Sequence, residues 1–254
     1  MLHTISKQTN KPPIITIYSP PKFGKSTFGS RAPNPVFIQT EDGVGNIDVP
    51  AFPLAKTYKD VLDAIAALAT QDHTYKSVVL DSLDWLEPLI HKQICDENKV
   101  KGIEMIGYGK GYVMALDLWR EYVSAVKYLR DKKNMTVVQI GHAEIKRFDN
   151  PQTQPYDRYQ LKLHKGAAEI VMESSDVILF GNYFVGVTKD KTGFSGDRVR
   201  AIGSGERVLY TQEQPAFKAG SRFNLPPEIP FDESGIYWSE IKKNIPYYSK
   251  DEKN

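Results

Sequence analysis

The chain has 254 residues and a net charge of +2, with 33 Lys and Arg set against 31 Asp and Glu. That length buries one sizeable core, and so mild a charge excludes nucleic-acid binding driven by an overall positive field, so any such contact must come from local patches. A single cysteine, Cys95, excludes a disulfide framework and a cysteine-rich metal site; no run approaches 18 apolar residues and no charged-then-apolar leader opens the chain, so a reducing cytoplasm without membrane contact is expected.

Residues 1–13 read as a polar lead-in that ends in Lys11-Pro12-Pro13. Apolar, β-branched residues over 14–18 predict a first strand, and Ser19-Pro20-Pro21-Lys22-Phe23-Gly24-Lys25-Ser26-Thr27 follows it. A strand, a turn-rich loop and then Gly-Lys-Ser is the layout of a phosphate-binding loop, in which backbone N–H groups and the start of the next helix surround phosphates. Lys25 is expected on the β- and γ-phosphates of ATP and the Ser26 hydroxyl on Mg²⁺. Pro33 and Pro35 close the helix after Gly24 early.

A second strand is predicted over 36–39, running into Thr40-Glu41-Asp42-Gly43. Helical period returns over 58–69, and the apolar run 77–81 predicts a third strand ending at Asp81, with a helix after it to about Glu97. A loop rich in Gly and Lys spans 101–112. Apolar spacing then predicts a long helix over 113–130 and a fourth strand over 136–140. The alternation argues an α/β fold with a mainly parallel central sheet flanked by helices, whose ligands sit beyond the carboxyl ends of the strands. Short runs at 177–180, 183–187, 199–202 and 207–210 read as C-terminal antiparallel hairpins. One domain over 14–245 and a flexible tail over 246–254 are expected.

Glu41, Asp81 and His142 all fall just after strand ends. Asp81 either holds a Mg²⁺-bound water or caps the helix that follows; Glu41 either orients and deprotonates an attacking water or, like its competitor Asp42, is a solvated turn acid. Gln139 and His142 are expected to contact the γ-phosphate, a buried and satisfied imidazole being the alternative for His142, and Asp84 reads as a first-turn charge. Over 143–158, Lys146, Arg147, Phe148, Tyr156 and Arg158 interleave cations with aromatics. That pattern suits single-stranded nucleic acid, and equally a solvated loop.

In this order the parts resemble the RecA-like recombinases, and more closely the phage-encoded ATP-binding recombination proteins of the Sak class, single-strand annealing proteins with a shortened RecA-type core. The resemblance covers about residues 14–230. It rests on Ser19 to Thr27, on Val36-Phe37-Ile38-Gln39-Thr40-Glu41, on Val78-Val79-Leu80-Asp81-Ser82, and on Ile106-Gly107-Tyr108-Gly109-Lys110-Gly111-Tyr112 before a long helix. Val137-Val138-Gln139-Ile140-Gly141-His142, Lys165-Gly166-Ala167-Ala168-Glu169-Ile170, and Ala216 to Phe223 complete it.

The resemblance implies a RecA-like P-loop ATPase that uses ATP and Mg²⁺ and is stimulated by DNA. Glu41, Lys25 and His142 would be its catalytic residues, and Lys110, Lys146, Arg147, Phe148 and Arg158 its DNA contacts. Lys218 and Arg222 would act in trans on a neighbouring subunit of a homo-oligomer. Single-stranded DNA and a cognate single-strand-binding protein are the implied partners, in the host cytoplasm. Ser19 stands where the family has glycine, His142 where recombinases carry Gln, and residues 1–13 where they have an oligomerisation element, which points to annealing rather than strand invasion. A protein-remodelling or loader-type ATPase, a small-molecule kinase and a nucleotide-binding scaffold with vestigial hydrolysis are the competing readings.

Overall fold

The computed structural model describes residues 10–249 apart from 44, 46 and 191–197, with backbone alone at 185–190 and 198–204. Strands and helices alternate as far as α3, and a second helix then precedes the fourth strand: β1 (Ile14–Ser19), α1 (Lys25–Ser30), β2 (Pro35–Gln39), α2 (Tyr58–Thr70), β3 (Ser77–Asp81), α3 (Leu83–Glu97), α4 (Lys110–Lys133) and β4 (Thr136–Phe148). There follow β5 (Tyr156–Leu161), α5 (Lys165–Ser174), β6 (Val177–Asp190), β7 (Arg198–Tyr210), β8 (Gly220–Ser221), β9 (Glu228–Pro230) and α6 (Ile236–Asn244).

The sheet runs β2-β3-β4-β1-β6-β7-β9, with β5 on β4 and β8 on β6. Pairing is parallel from β2 through β6 and antiparallel beyond. Every residue of β1 and β3 is buried, as expected of parallel strands covered by helices on both faces. One face packs α2 to α5 around Trp119 and Tyr122; the other packs α1 and α6 around Phe28, Tyr237 and Trp238. Thr57 and Asp60 form a reciprocal capping box that starts α2.

One sequence expectation is corrected here. The segment 143–158 is no loop: β4 continues to Phe148 and pairs antiparallel with β5, so its cations and rings stand on a hairpin. Gly141 leaves room for the Leu161 side chain of β5, since a Cβ there would stand 2.4 Å from its Cδ1. The four short runs after Ser175 do form the expected antiparallel structure, joined into the two long strands β6 and β7 of one hairpin.

The loose tail expected from 246 begins as packed chain; Tyr248 is 7 % exposed and its hydroxyl lies 2.6 Å from Thr136 Oγ1. Residues 250–254 and 1–9 of the tail and lead-in lie outside the described residues. Helix α6 is not among the expected elements, although Tyr237, Ile241, Ile245 and Tyr248 recur at helical spacing and all are buried. Trp238 stacks on Phe28 and its indole N–H donates to Phe28 O at 2.8 Å, which fixes α1 from behind.

Candidate functional site

Register brings the strand ends together. Ser19 of β1 lies opposite His142 of β4, Gln39 of β2 opposite Asp81 of β3, and Asp81 opposite Ile140. The residues just past those ends therefore share one rim. Because β4 lies between β1 and β3, the loop after β1 faces carboxylates that come from two strands away.

The loop from Ser19 to Gly24 turns through a positive φ at Lys22 (62°) and at Gly24 (112°), and α1 starts at Lys25 with Phe28 N donating to Gly24 O. At Gly24 only glycine fits, since that φ disfavours a side chain and a Cβ would stand 2.9 Å from the Phe231 ring. Phe23 is fully buried against Phe231 and Tyr183, so the loop is nailed to the antiparallel end of the sheet, while Pro21 and Lys22 are exposed. Lys25, 6 % exposed, turns its Nζ inward to Ser19 Oγ (3.2 Å), Pro20 O (3.3 Å) and Ser19 O (3.4 Å).

Burial lowers the Lys25 amine to about 8, against the pull of Asp84, Asp81 and Glu41. Ser26 Oγ donates to Asp81 Oδ2 at 2.6 Å. Asp81 is not a helix cap, since Ser82 holds that place before α3. Burial raises the Asp81 carboxyl above its ordinary value, more than the Ser26 hydroxyl bond lowers it. A half-buried hydroxyl and a buried carboxylate facing each other suit a hard divalent cation that takes its remaining ligands from phosphate and water. No cluster of three metal-binding side chains exists among the described residues, so such a cation is not held by protein groups alone.

Glu41 is half-buried and its Oε2 accepts from Ser82 Oγ at 3.2 Å, whereas Asp42 is exposed. Thr40 fastens the two strand ends: its hydroxyl donates to Ser82 O (2.6 Å) and accepts from Ser82 N (2.8 Å). His142 is clamped by Asp84, whose carboxylate accepts from His142 N (3.0 Å) and lies 2.9 Å from its Nδ1. Burial opposes ionisation of Asp84, but bonds from His142 and Ser82 hold its carboxyl below the usual range. Asp84 does lie in the first turn of α3, as expected, yet its clamp on a residue 58 positions away leaves no mark in local sequence.

Gln139 is corrected: it is fully buried, accepting from the Tyr122 hydroxyl (2.9 Å) and donating to Thr16 (3.0 Å), and does not reach the rim. Thr27 follows Ser26 in α1, half-buried.

A groove leads away from the Asp84 side of the rim. Its first basin, about 560 Å³, is lined by Trp85, His91, Tyr112, Lys162 and His164, with Tyr112 stacked on His164 at 4.7 Å. A second, about 720 Å³, is lined by Arg147, Phe148, Lys165 and Lys218, and Lys146 and Leu163 line both. Of the residues expected to touch DNA, Lys146 and Arg147 are exposed, Lys146 in an ion pair with Glu144 (2.7 Å). Lys110 is exposed at the start of α4, beside the fully exposed Tyr108.

Arg158 is the correction here. It is 8 % exposed and donates to Glu213 (2.6 Å), Phe217 O (2.8 Å) and Gln214 O (3.3 Å), so it fastens β5 to the 213–217 loop and is not a free cation. Its guanidinium also covers the Phe148 ring at 5.0 Å. Of the two residues expected to act in trans, Lys218 is exposed on the second basin, and Arg222 is ion-paired to Asp176 (3.3 Å) at the amino ends of the strands.

Fold and rim together define a nucleotide-binding protein of the P-loop ATPase class: a parallel sheet, a phosphate loop after its first strand, and a hydroxyl and acids converging on that loop. A family model described as the AAA domain matches residues 11–223, and the chain belongs to that family. No curated protein matches the sequence. No helix among the described residues is long and apolar enough to cross a membrane.

Proposed function

We propose that the protein binds and hydrolyses ATP with Mg²⁺ at this rim and binds single-stranded DNA along the groove, as an annealing ATPase of phage recombination related to the Sak class. The observation that supports the chemistry best is the convergence of Lys25, the Ser26–Asp81 pair, Glu41 and His142 from four strand ends on one loop. The amides around Gly24 and the Lys25 amine hold the triphosphate. Ser26, and Asp81 through water, hold Mg²⁺, which supplies charge neutralisation on the phosphates. Glu41, kept facing the loop by Ser82, orients the attacking water and accepts its proton. His142 reads the γ-phosphate and passes its position through Asp84, which also lines the first basin of the groove.

An exposed ring (Trp85), the Tyr112–His164 stack beside it and exposed cations (Arg147, Lys162, Lys165, Lys218) support a single strand as the groove's occupant. Lys218 or Arg222 of a neighbouring copy completes the site in an oligomer, and a cognate single-strand-binding protein presents the strand. The test is ATP turnover with and without single-stranded DNA. Stimulation that disappears in Lys25→Ala supports the reading; turnover indifferent to the strand removes its DNA half.

One observation favours a second reading, a protein-remodelling or loader-type ATPase without DNA contact: Glu87, Glu144, Asp149, Glu169 and Glu213 offset the cations of the groove. Fluorescence anisotropy with an oligonucleotide separates the two. Binding that weakens steeply with salt supports the first, and no salt-sensitive binding supports the second.

A further inference from the structure

Arg207, on β7, reaches across to the phosphate loop, and its Nη1 donates to Phe23 O at 2.9 Å. The guanidinium lies over the Phe231 ring at 4.9 Å, and that ring in turn packs on Phe23 (4.7 Å) and Tyr237 (4.6 Å), so the arginine is held in one pose. The Phe23–Gly24 peptide is planar and trans, which points the carbonyl of Phe23 and the N–H of Gly24 in opposite directions. Gly24 has φ 112°, a region where glycine lets a peptide plane rotate at little cost. Something outside the loop must therefore choose the orientation of that plane.

The geometry points to Arg207 as a positioning residue for the phosphate loop: by latching the Phe23 carbonyl on the packed flank, it aims the Gly24 amide at the open side where a phosphate is gripped. Nothing in the Gly-Lys-Ser motif specifies this latch, which comes from the antiparallel hairpin more than 180 residues on. The inference rests on the nucleotide reading and deepens it. It makes phosphate affinity depend on a strand from the antiparallel half of the sheet. It also gives the β6–β7 hairpin a physical route by which anything bound to it would tighten or loosen the loop.

The experiment titrates ADP and inorganic tripolyphosphate into the full-length wild type, Arg207→Met, Arg207→Lys and Phe231→Leu by calorimetry, with apo melting recorded for each. Arg207→Met keeps apolar cover on Phe231 and loses the donor. It is expected to bind both ligands about tenfold to a hundredfold more weakly, the worth of one hydrogen bond to a charged group. Arg207→Lys, which still offers a charged donor, recovers most of that loss, and Phe231→Leu, which removes the platform under the guanidinium, weakens both ligands severalfold. A merely structural role would lower melting without this parallel loss for a ligand that has no base.

Wild-type affinity in both Arg207→Met and Phe231→Leu overturns the inference alone, as does a loss confined to ADP. Absence of any binding by the wild type overturns the nucleotide reading and the inference with it.

Discussion

The rim and the groove handle charge in opposite ways. At the rim, ionisable groups are buried with their neutralisation incomplete: the Lys25 amine is lowered to about 8 and the Asp81 carboxyl raised, both chiefly by burial. In the groove, which opens to water, the exposed Lys146 is paired with Glu144. Buried charge left uncompensated is costly unless a ligand completes it, whereas exposed pairs contribute little either way. The rim is thus suited to completion by a polyanion and a cation, and on the proposed reading the groove would hold a strand through its exposed cations and ring faces.

The largest effect separates chemistry from binding within the rim. Glu41→Gln is expected to lower ATP turnover by about 10²–10⁴-fold, the usual worth of a positioned general base, with nucleotide affinity retained. Single-turnover kinetics beside calorimetry checks it, and turnover within a factor of a few of wild type would remove Glu41 from the reaction. Lys25→Ala comes next, with nucleotide affinity expected to fall by about tenfold to a hundredfold through loss of a charged donor.

The pH dependence sharpens the contrast. Lys25 has a folded pKa of about 8, below its ordinary 10.5, so between those values the unfolded chain binds more protons than the folded one. The free protein therefore gains stability from this group as pH rises from about 8 toward 10.5, and its penalty is fully present below about 8. A bound polyphosphate favours the charged amine, so nucleotide affinity falls as pH climbs above about 8 and binding there takes up a proton. Calorimetry in buffers of different ionisation enthalpy reads that uptake, and Lys25→Met abolishes it.

The smallest effects belong to the groove. Lys146→Ala with Arg147→Ala is expected to reduce the salt slope of oligonucleotide binding by about 0.7 for each phosphate left without its cation, and less if Lys146 stays with Glu144. Arg158→Ala, by contrast, removes a buried charged donor from Glu213 and from the carbonyls of Gln214 and Phe217, which keep only each other's backbone N–H, and is expected to cost about 1–3 kcal/mol of stability, read as a lowered melting temperature.

The same contrast divides what was legible in the sequence. The parallel half was readable because β1, β2 and β3 are short apolar runs ending in polar residues, so that Ser19, Glu41 and Asp81 could be placed at or just past strand ends; His142, expected just past the fourth strand, lies within β4, where parallel pairing gives way to the hairpin with β5. Local pattern does not carry long-range pairing. The continuation of β4 into a hairpin, the clamp of Asp84 on His142, the latch of Arg207 on Phe23 and the burial of Arg158 each join residues that only the fold brings together. Arg158 shows why: a cation among aromatics reads as a nucleic-acid contact until its partners, Glu213 and two carbonyls, are seen.

The most direct measurement titrates Mg²⁺ and ATP into Glu41→Gln protein, in which turnover is removed and binding is left. One site per chain is expected, lost or greatly weakened when Lys25→Ala is added. No binding, or binding that the Lys25→Ala change does not alter, would contradict the assignment of this loop to a nucleotide's phosphates.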